Sequence, residues 1–269
     1  CAEERDRLPK AFEYLKKAAT DEHPRVRTES IRGLSFYGTP ESIEALIAAA
    51  ALPLDYWTKY TLEAALGANE STWRQPFLAG KLPKGPADAV MTGVLSSSAS
   101  GAAATPHLRL LLSADPQSAE TKQKVMGELA KLKGRVNEGR AVFVRNCTAC
   151  HKVGNGEGAD YGPNLKEVAT RSKTRVKLIE SIIDPNADVE AKYASTRIVT
   201  LDGMTIVGLV VAETKKDVTI FDGKDKKVVA LDNVESRAVL KQSSMPEGQA
   251  ATMSPAEFLD LVEYLSSLK

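Results

Sequence analysis

Residues 147–151 constrain this chain more than any other feature, because they read Cys-Thr-Ala-Cys-His. Two cysteines separated by two residues and followed at once by histidine form the attachment motif for a c-type haem. A single tight turn presents both thiols to the two vinyl groups on one porphyrin edge, and the histidine then faces the iron. The motif therefore predicts one covalent haem c, held by Cys147 and Cys150, with His151 as an axial ligand.

A zinc half-site or a redox-active dithiol is the alternative interpretation of Cys147, Cys150 and His151. Zinc would need a fourth ligand, and the remaining cysteine and histidines are Cys1, His23 and His107. All three belong to the other part of the chain. Three cysteines also cannot form a disulfide framework.

Downstream of the motif, residues 161–165 read Tyr-Gly-Pro-Asn-Leu. This segment resembles the Gly-Pro-x-Leu segment of class I cytochromes c, in which the proline carbonyl accepts a hydrogen bond from the ligating histidine. Such a partner fixes the tautomer and orientation of the ligand. The resemblance implies this role for Pro163 and packing of Leu165 on the porphyrin face. An ordinary Gly-Pro turn is the alternative.

The sixth ligand of the iron is predicted to be Met245, in the segment Ser-Ser-Met-Pro-Glu-Gly at 243–248. This segment immediately precedes the last helix, where class I cytochromes c place their methionine loop. Histidine and methionine are the usual axial ligands, and the following proline restricts the loop. The competing candidates are Met253, His107 and an open coordination site, whereas Met204 lies in a predicted sheet.

The N-terminal part of the chain, residues 1–95, has the pattern of paired amphipathic helices. Pro24 and Pro40 suit the first turns of two helices, with Thr39 as the N-cap of the second. The turn Asp-x-x-Pro-x-Val-Arg at 21–27 and a period near ~40 residues resemble HEAT repeats. An unspecialised helical bundle is the alternative.

Buried faces are also predicted for two of these helices from their apolar spacing. One face comprises Val26, Ile31 and Leu34. The other belongs to a helix opened by Pro53 and comprises Leu54, Trp57, Leu62 and Leu66.

Residues 96–134 are predicted to form a linker with connecting helices. Ser96–Thr105 has the small, polar composition of a linker or loop. Pro106–Leu112 and Ser118–Leu132 are expected to be the connecting helices, and Gly134 marks the next boundary.

Residues 135–269 are predicted to form a third segment, a helical domain with an inserted sheet. A helix at Arg135–Asn146 runs into the haem motif, and Ser172–Ile183 forms a second amphipathic helix. The last helix has Ser254 as N-cap, Pro255 in its first turn and Glu257 closing a capping box. Its buried face is expected to comprise Phe258, Leu261, Val262 and Leu265.

The inserted sheet is predicted at residues 194–240, where the apolar period changes to two. Asp202-Gly203 joins the strands of a first hairpin, and Asp222-Gly223-Lys224 those of a second. The last helix is expected to cross the helix of Gly139 closely, which leaves the insertion on the side of the Met245 loop.

Residues 135–269 as a whole resemble the haem-binding domain of the Pirellula/Verrucomicrobium type, which is widespread in planctomycete and verrucomicrobial proteins. The resemblance rests on Gly139, Phe143, Cys147–His151, Gly162–Leu165, Ser181–Pro185, Asp202-Gly203, Gly208–Val210, Met245–Gly248 and Leu261–Leu265. Gln249 departs from the pattern, which favours an apolar residue there. The resemblance implies a mainly α protein: a HEAT-like helical N-terminal domain plus a class I cytochrome c fold with a small antiparallel β insertion.

Electron transfer is the expected function, because an iron bound by both His151 and Met245 has no open position for a substrate. The resemblance implies the electron-accepting module of an extracytoplasmic dehydrogenase system of the sugar or alcohol type. Its partners would be a dehydrogenase donor and a cytochrome or oxidase acceptor, and the chain itself would not be an enzyme. The alternatives are a haem-based peroxidase, a gas or redox sensor, and a HEAT-type docking scaffold.

Charge and hydropathy exclude other functions. Lys plus Arg number 36 and Asp plus Glu 35, and the resulting net charge of +1 gives no overall field for nucleic acid or an anionic membrane. No apolar run approaches the ~20 residues of a membrane span. Haem attachment implies a periplasmic or otherwise extracytoplasmic location, although the charged first residues contain no signal peptide. Cys1 is either a lipid-modified first residue or the point where a longer chain was cut, and we favour the cut.

Overall fold

The computed structural model describes residues 10–96, 98–113, 115 and 117–269. Contacts divide the chain into two units. The first comprises Cys1–Leu132 with Ala251–Ala256, and the second comprises Lys133–Ala250 with Glu257–Lys269. The two interpretations of Cys1 concern a residue outside the described ranges. No helix in those ranges is long and apolar enough to cross a membrane.

The first unit is helical throughout its described part. Its helices are α1 Ala11–Ala18, α2 Pro24–Leu34, α3 Pro40–Ala50, α4 Tyr56–Ala68, α5 Glu70–Leu78, α6 Ala87–Leu95, α7 Ala99–Leu112 and α8 Ala119–Lys131.

The start of α3 confirms the capping prediction. The Thr39 side chain accepts from the backbone N–H of Ser42, and the Ser42 side chain accepts from the N–H of Thr39. Two backbone donors that the helix cannot satisfy are thus bonded reciprocally. The apolar faces of these helices meet in one core that includes the fully buried Ile31, Leu34, Leu46, Leu62, Leu66 and Trp73.

Two predictions about buried faces were wrong. Helix α4 begins at Tyr56, not at Pro53, because the Asp55 side chain accepts from the N–H of Thr58 at 2.7 Å and fixes the start there. Trp57 is 67% exposed. It lies about 140° round the helix from the buried Leu62, at about 100° per residue.

Val26 is also exposed, and the adjacent Arg27 is buried in its place. The Arg27 guanidinium donates to the carbonyl oxygens of Asp21, Glu22 and Pro53 at 2.9, 3.0 and 2.7 Å. These bonds satisfy the two terminal nitrogens of the guanidinium, whereas its buried Nε has no hydrogen-bond partner among the described residues. A charged residue is therefore buried next to the valine for which apolar spacing predicted burial.

The prediction of a linker at Ser96–Thr105 was wrong, because α7 begins at Ala99. The Ser98 side chain caps this helix by accepting from the N–H of Gly101 at 3.0 Å. Alanine has the highest helix propensity of all residues, and this outweighs the small, polar composition of the stretch. Helices α7 and α8 belong to the first unit, not to a separate linker.

Within the described residues, the second unit combines four α-helices with an antiparallel sheet. The helices are α9 Val136–Asn146, α10 Val168–Ser172, α11 Arg175–Ile183 and α12 Pro255–Ser267. The strands are β1 Ala194–Thr200, β2 Thr205–Glu213, β3 Asp217–Phe221, β4 Lys226–Ala230 and β5 Val234–Ser243, in the order β4-β3-β2-β1-β5.

The helix predicted at Ser172–Ile183 begins later, at Arg175, as α11, and Ser172 is the last residue of the preceding helix α10. Lys173 adopts a φ of 62°, which a helix cannot continue. Thr174 then caps α11 by accepting from the N–H of Lys177 at 3.1 Å. The predicted start of the last helix at Pro255 is confirmed, and so is its buried face: Phe258, Leu261, Val262 and Leu265.

Both predicted hairpins are present in the sheet. Gly203 and Gly223 adopt φ values of 82° and 99° in the two turns, a region that glycine tolerates best. The sheet is larger than predicted, because β5 pairs with β1 and extends to Ser243. One face contains the core residues Ile198, Ile206, Val218, Ile220 and Val229.

Helices α9 and α12 approach each other at Gly139, as predicted. A Cβ at this position would lie 1.9 Å from the backbone oxygen of Asp260, so only glycine fits. Near the start of α9, the Asp260 carboxylate accepts from the Arg135 N–H at 2.7 Å and binds its guanidinium at 2.8 Å. These contacts fix the helix that carries the haem motif at its end.

Candidate functional site

The Cys-x-x-Cys-His motif forms a compact turn directly after α9. The N–H of Cys147 donates to the carbonyl of Phe143 at 2.8 Å, which ties the turn to the helix. The N–H groups of Cys150 and His151 donate to the carbonyl of Cys147 at 3.1 and 2.9 Å. Both cysteines are free thiols. One tight turn therefore presents two thiols and an imidazole.

Both thiols are held in the neutral form. Burial, and secondarily the neighbouring Cys150, raises the pKa of Cys147 to about 12, and burial also raises the pKa of Cys150. A charged thiolate is disfavoured in such surroundings. The turn therefore suits an uncharged sulfur, which is the form that a thioether has.

The His151 ring is oriented by the loop that follows. Its Nδ1 lies 2.9 Å from the carbonyl oxygen of Pro163, the pair that the resemblance to class I cytochromes implies. Because a carbonyl can only accept, Nδ1 carries the proton and Nε2 keeps its lone pair. Burial lowers the pKa of His151 despite the opposing effect of the Pro163 hydrogen bond. The ring is thus a neutral imidazole in the tautomer that a metal ligand needs.

Gly162 makes room for this ring. A Cβ at Gly162 would lie 2.4 Å from Cε1 and 2.7 Å from Nδ1 of His151. The N–H of Gly162 donates to the carbonyl of Cys150 at 2.7 Å, so the loop returns onto the motif itself. The glycine of the Gly-Pro pair is therefore required by close packing and not by a turn alone.

The Asn164 side chain closes the loop between His151 and Pro163. It accepts from the N–H of Gly154 at 2.9 Å and donates to the carbonyl of Gly154 at 2.7 Å. Leu165 is half-buried, and its N–H donates to the carbonyl of Lys152 at 2.8 Å. Its packing on a porphyrin face stays a prediction.

The inserted sheet contacts the same loop through an aromatic pair. The rings of Tyr161 and Phe221 stack with centroids 4.0 Å apart and planes at 22°, and Lys226 Nζ lies 5.4 Å from the centre of the Tyr161 ring. The sheet therefore supports the loop on the histidine side of the motif. The sequence predicted the sheet on the side of the Met245 loop and gave no indication of this contact.

Met245 is half-buried in the segment that follows β5. Its N–H donates to Ser243 Oγ at 3.0 Å, and the N–H of Ser244 donates to the carbonyl of Tyr193 at 3.1 Å. These bonds give the loop a fixed backbone. The role of Met245 as an iron ligand stays a prediction.

The other candidates for the sixth ligand, Met253 and His107, and the excluded Met204 lie in environments different from that of Met245. Met253 is 1% exposed, as expected of a core residue beside a helix start. Met204 is 54% exposed and precedes β2. His107 lies on α7 in the first unit, with Nδ1 3.0 Å from the carbonyl of Ala103 one turn earlier.

The zinc interpretation of Cys147, Cys150 and His151 finds no support in the described residues. Across the described ranges, no three His, Cys, Asp or Glu side chains lie close enough together to bind one metal ion. A haem does not need such a group, because it takes the cysteines at its edge and the histidine at its iron.

Two further residues shape the site, and no sequence pattern identified them. They are Phe221, the last residue of β3, and Asn186, in the turn that follows α11. An asparagine after Asp-Pro is a common turn residue, so its contacts with a distant loop had no local signal. Phe221 fits the alternating pattern of a strand, but such a pattern does not indicate which distant residue the ring contacts.

Two family models match parts of the chain. Residues 2–67 match the family of HEAT repeats, and residues 136–198 match the cytochrome c family. The chain thus carries HEAT repeats at its N-terminus and a cytochrome c domain that contains the Cys-x-x-Cys-His turn, which implies covalently bound haem c and supports haem-based electron transfer. The second match ends within β1 and does not reach Met245. No curated protein matches the chain.

Proposed function

We propose that this protein is a mono-haem c-type cytochrome that transfers electrons, with the haem on Cys147 and Cys150 and the iron between His151 and Met245. The observation that carries the proposal is the hydrogen bond between His151 Nδ1 and the Pro163 carbonyl oxygen, 2.9 Å long. It fixes one tautomer of the ring and leaves the lone pair of Nε2 free to bind a metal.

The residues of the turn fit a haem c. The thiols of Cys147 and Cys150 are neutral and not joined in a disulfide. The His151 ring is neutral, and Gly162 leaves the space that the ring occupies. The bound haem supplies a one-electron ferric/ferrous couple. The chain's own residues orient the axial ligand through the Pro163 carbonyl, and burial disfavours the protonated form of His151 by lowering its pKa.

Met245 makes the site a carrier and not a catalyst under this proposal. A thioether ligand raises the reduction potential relative to a second histidine, and it leaves no open position for a substrate. Pro246 and the bonded N–H groups of Ser244 and Met245 restrict the loop. A sulfur on a restricted loop is held near its target at low entropic cost.

We place the cytochrome domain in the Pirellula/Verrucomicrobium type because the features of that type extend beyond the matched residues. They include the hairpin at Asp202-Gly203, the Met245–Gly248 segment and the last helix, all present in the structure. This type implies a class I cytochrome fold with a β insertion and an extracytoplasmic, periplasmic location. The donor would be a dehydrogenase of the sugar or alcohol type and the acceptor a cytochrome or oxidase. The HEAT segment would dock or tether one of them.

The visible spectrum of the purified holoprotein tests the proposal. Acidified acetone should leave the haem on the protein, and the ferric form should show the far-red charge-transfer band of methionine ligation. Met245→Ala should abolish this band, lower the reduction potential and allow cyanide and carbon monoxide to bind. Met253→Ala is the matched control and should keep the band.

Extractable haem would refute covalent attachment. A Met245→Ala protein with an unchanged spectrum would assign the sixth position to another residue, with His107 the next to test. A wild-type protein that binds cyanide or peroxide readily, without any substitution of Met245, would favour the peroxidase or sensor alternative.

A further inference from the structure

The side chain of Asn186 connects the two ends of the Met245 loop. Its Oδ1 accepts from the backbone N–H of Ser243 at 2.8 Å, and its Nδ2 donates to Oε1 of Glu247. Ser243 precedes Met245 by two residues, and Glu247 follows it by two. One half-buried side chain therefore brackets the proposed ligand on both sides.

The two bonds require an amide. A backbone N–H needs an acceptor, and a carboxylate at neutral pH needs a donor. Asparagine offers both at the required separation, whereas aspartate would offer only acceptors. The orientation of the amide is fixed by its partners, because the reverse orientation would oppose two donors at Ser243 and two acceptors at Glu247.

Asn186 is itself anchored in a turn at the end of α11. Its N–H donates to Asp184 Oδ1 at 3.2 Å, and the N–H of Ala187 donates to the carbonyl of Asp184 at 3.1 Å. Pro185 between them is buried. The Met245 loop is thereby attached to the turn that ends α11, and this turn is tied to the helix because the N–H of Asp184 donates to the carbonyl of Glu180 at 2.7 Å.

We infer that Asn186 is a positioning residue that holds the Met245 loop closed and so keeps the sulfur of Met245 on the iron. The inference rests on the proposed function, since it concerns the proposed sixth ligand. Asn186 acts through the loop backbone and through Glu247. Its loss opens the loop without removing the ligand.

The test is cyanide binding to the full-length ferric holoprotein, together with the far-red charge-transfer band. Asn186→Asp keeps the acceptor for Ser243 but places a second carboxylate against Glu247. It should raise the cyanide association constant about tenfold, equivalent to about 1.4 kcal/mol, and weaken the band. Glu247→Gln alone should change the constant less than about twofold, because Asn186 can still donate to the glutamine oxygen.

The double variant N186D/E247Q is the decisive measurement. Its glutamine amide can donate to the new carboxylate, so the cyanide constant should return to within about threefold of wild type and the band should recover. Glu247→Ala is a second probe that leaves the turn after α11 intact, and it should raise the constant several-fold. Glu235→Ala, which removes another exposed carboxylate before the loop, is its matched control and should have no effect.

The outcomes separate this inference from the proposed function. If Met245→Ala admits cyanide but Asn186→Asp and Glu247→Ala bind it as the wild type does, Asn186 does not hold the loop. Another outcome is that the double variant keeps the raised cyanide constant, while Asn186→Asp and the double variant lose the same stability. Asn186 then stabilises only the turn after α11 and does not hold the Met245 loop. If Met245→Ala itself changes nothing, the ligand assignment fails, and the inference fails with it.

Discussion

The ring of Tyr161 stacks on the ring of Phe221, with the centroids 4.0 Å apart and the planes at 22°. Tyr161 directly precedes the Gly-Pro pair that orients His151, and Phe221 ends β3 of the inserted sheet. The sheet is thus joined to the histidine side of the site by this stack, and to the methionine side by β5, which ends at Ser243. An insertion of strands between two helices thus contacts the loop that orients His151 and leads directly into the segment that contains Met245.

Phe221→Ala should lower the unfolding free energy of the holoprotein by about 1–3 kcal/mol, since the variant loses the stack and part of its apolar contact. Guanidinium unfolding followed by the haem absorption measures this. Phe221→Tyr keeps the ring and should retain most of the stability. Equal losses in the two variants would show that the stack contributes nothing.

Gly162→Ala should disturb the ligating imidazole directly. Because the new Cβ would lie 2.4 Å from Cε1 of His151, the ring must shift from Pro163 and its hydrogen bond must weaken. That bond raises the basicity of the ligand and favours ferric iron. The reduction potential should therefore rise by about 30–60 mV, where 59 mV is a tenfold change in a one-electron equilibrium.

Gly93→Ala is the control for this substitution. Gly93 lies inside α6 with no atom within 4 Å of the position of a Cβ. Alanine there should stabilise the first unit by about 0.5–1 kcal/mol and leave the potential unchanged. A potential that does not move in Gly162→Ala would contradict the packing seen at His151.

Gly139→Ala should prevent the close approach of α9 and α12. The added Cβ would lie 1.9 Å from the backbone oxygen of Asp260, and a backbone cannot move as a side-chain end can. We expect a loss of about 3 kcal/mol or more, or no holoprotein at all. Thermal unfolding and haem yield measure this, with Gly127→Ala in α8, where a Cβ has no neighbour within 4 Å, as the control.

Arg27→Ala should destabilise the first unit, because three carbonyl oxygens lose a buried, charged donor. The expected loss is about 2–3 kcal/mol. The control on the same helix is Arg32→Ala, which removes only a 2.9 Å surface ion pair with Glu29 and should cost less than about 0.5 kcal/mol. Far-UV circular dichroism on heating follows the helices.

The haem spectrum should stay unchanged in Arg27→Ala, since Arg27 and the haem motif belong to different units. A shifted charge-transfer band in this variant would mean that the first unit shapes the haem site.

The sequence by itself determined the parts of this protein that rest on local chemistry. The Cys147–His151 turn, the capping box at Thr39, the start of α12 at Pro255 and both glycine-containing hairpins follow from a few neighbouring residues. In each case the decisive interaction joins residues that are close along the chain, so the local sequence is enough to predict it.

The tertiary structure decided what depends on partners far along the chain. Arg27 is buried and Val26 exposed because the carbonyl of Pro53 lies within reach of the guanidinium. Asn186 forms hydrogen bonds with Ser243 and Glu247, and Tyr161 stacks on Phe221. The partners in each of these contacts are separated by about 60 residues of sequence. No local pattern encodes such pairs, because the energy of a contact depends on which surfaces the folded chain brings together.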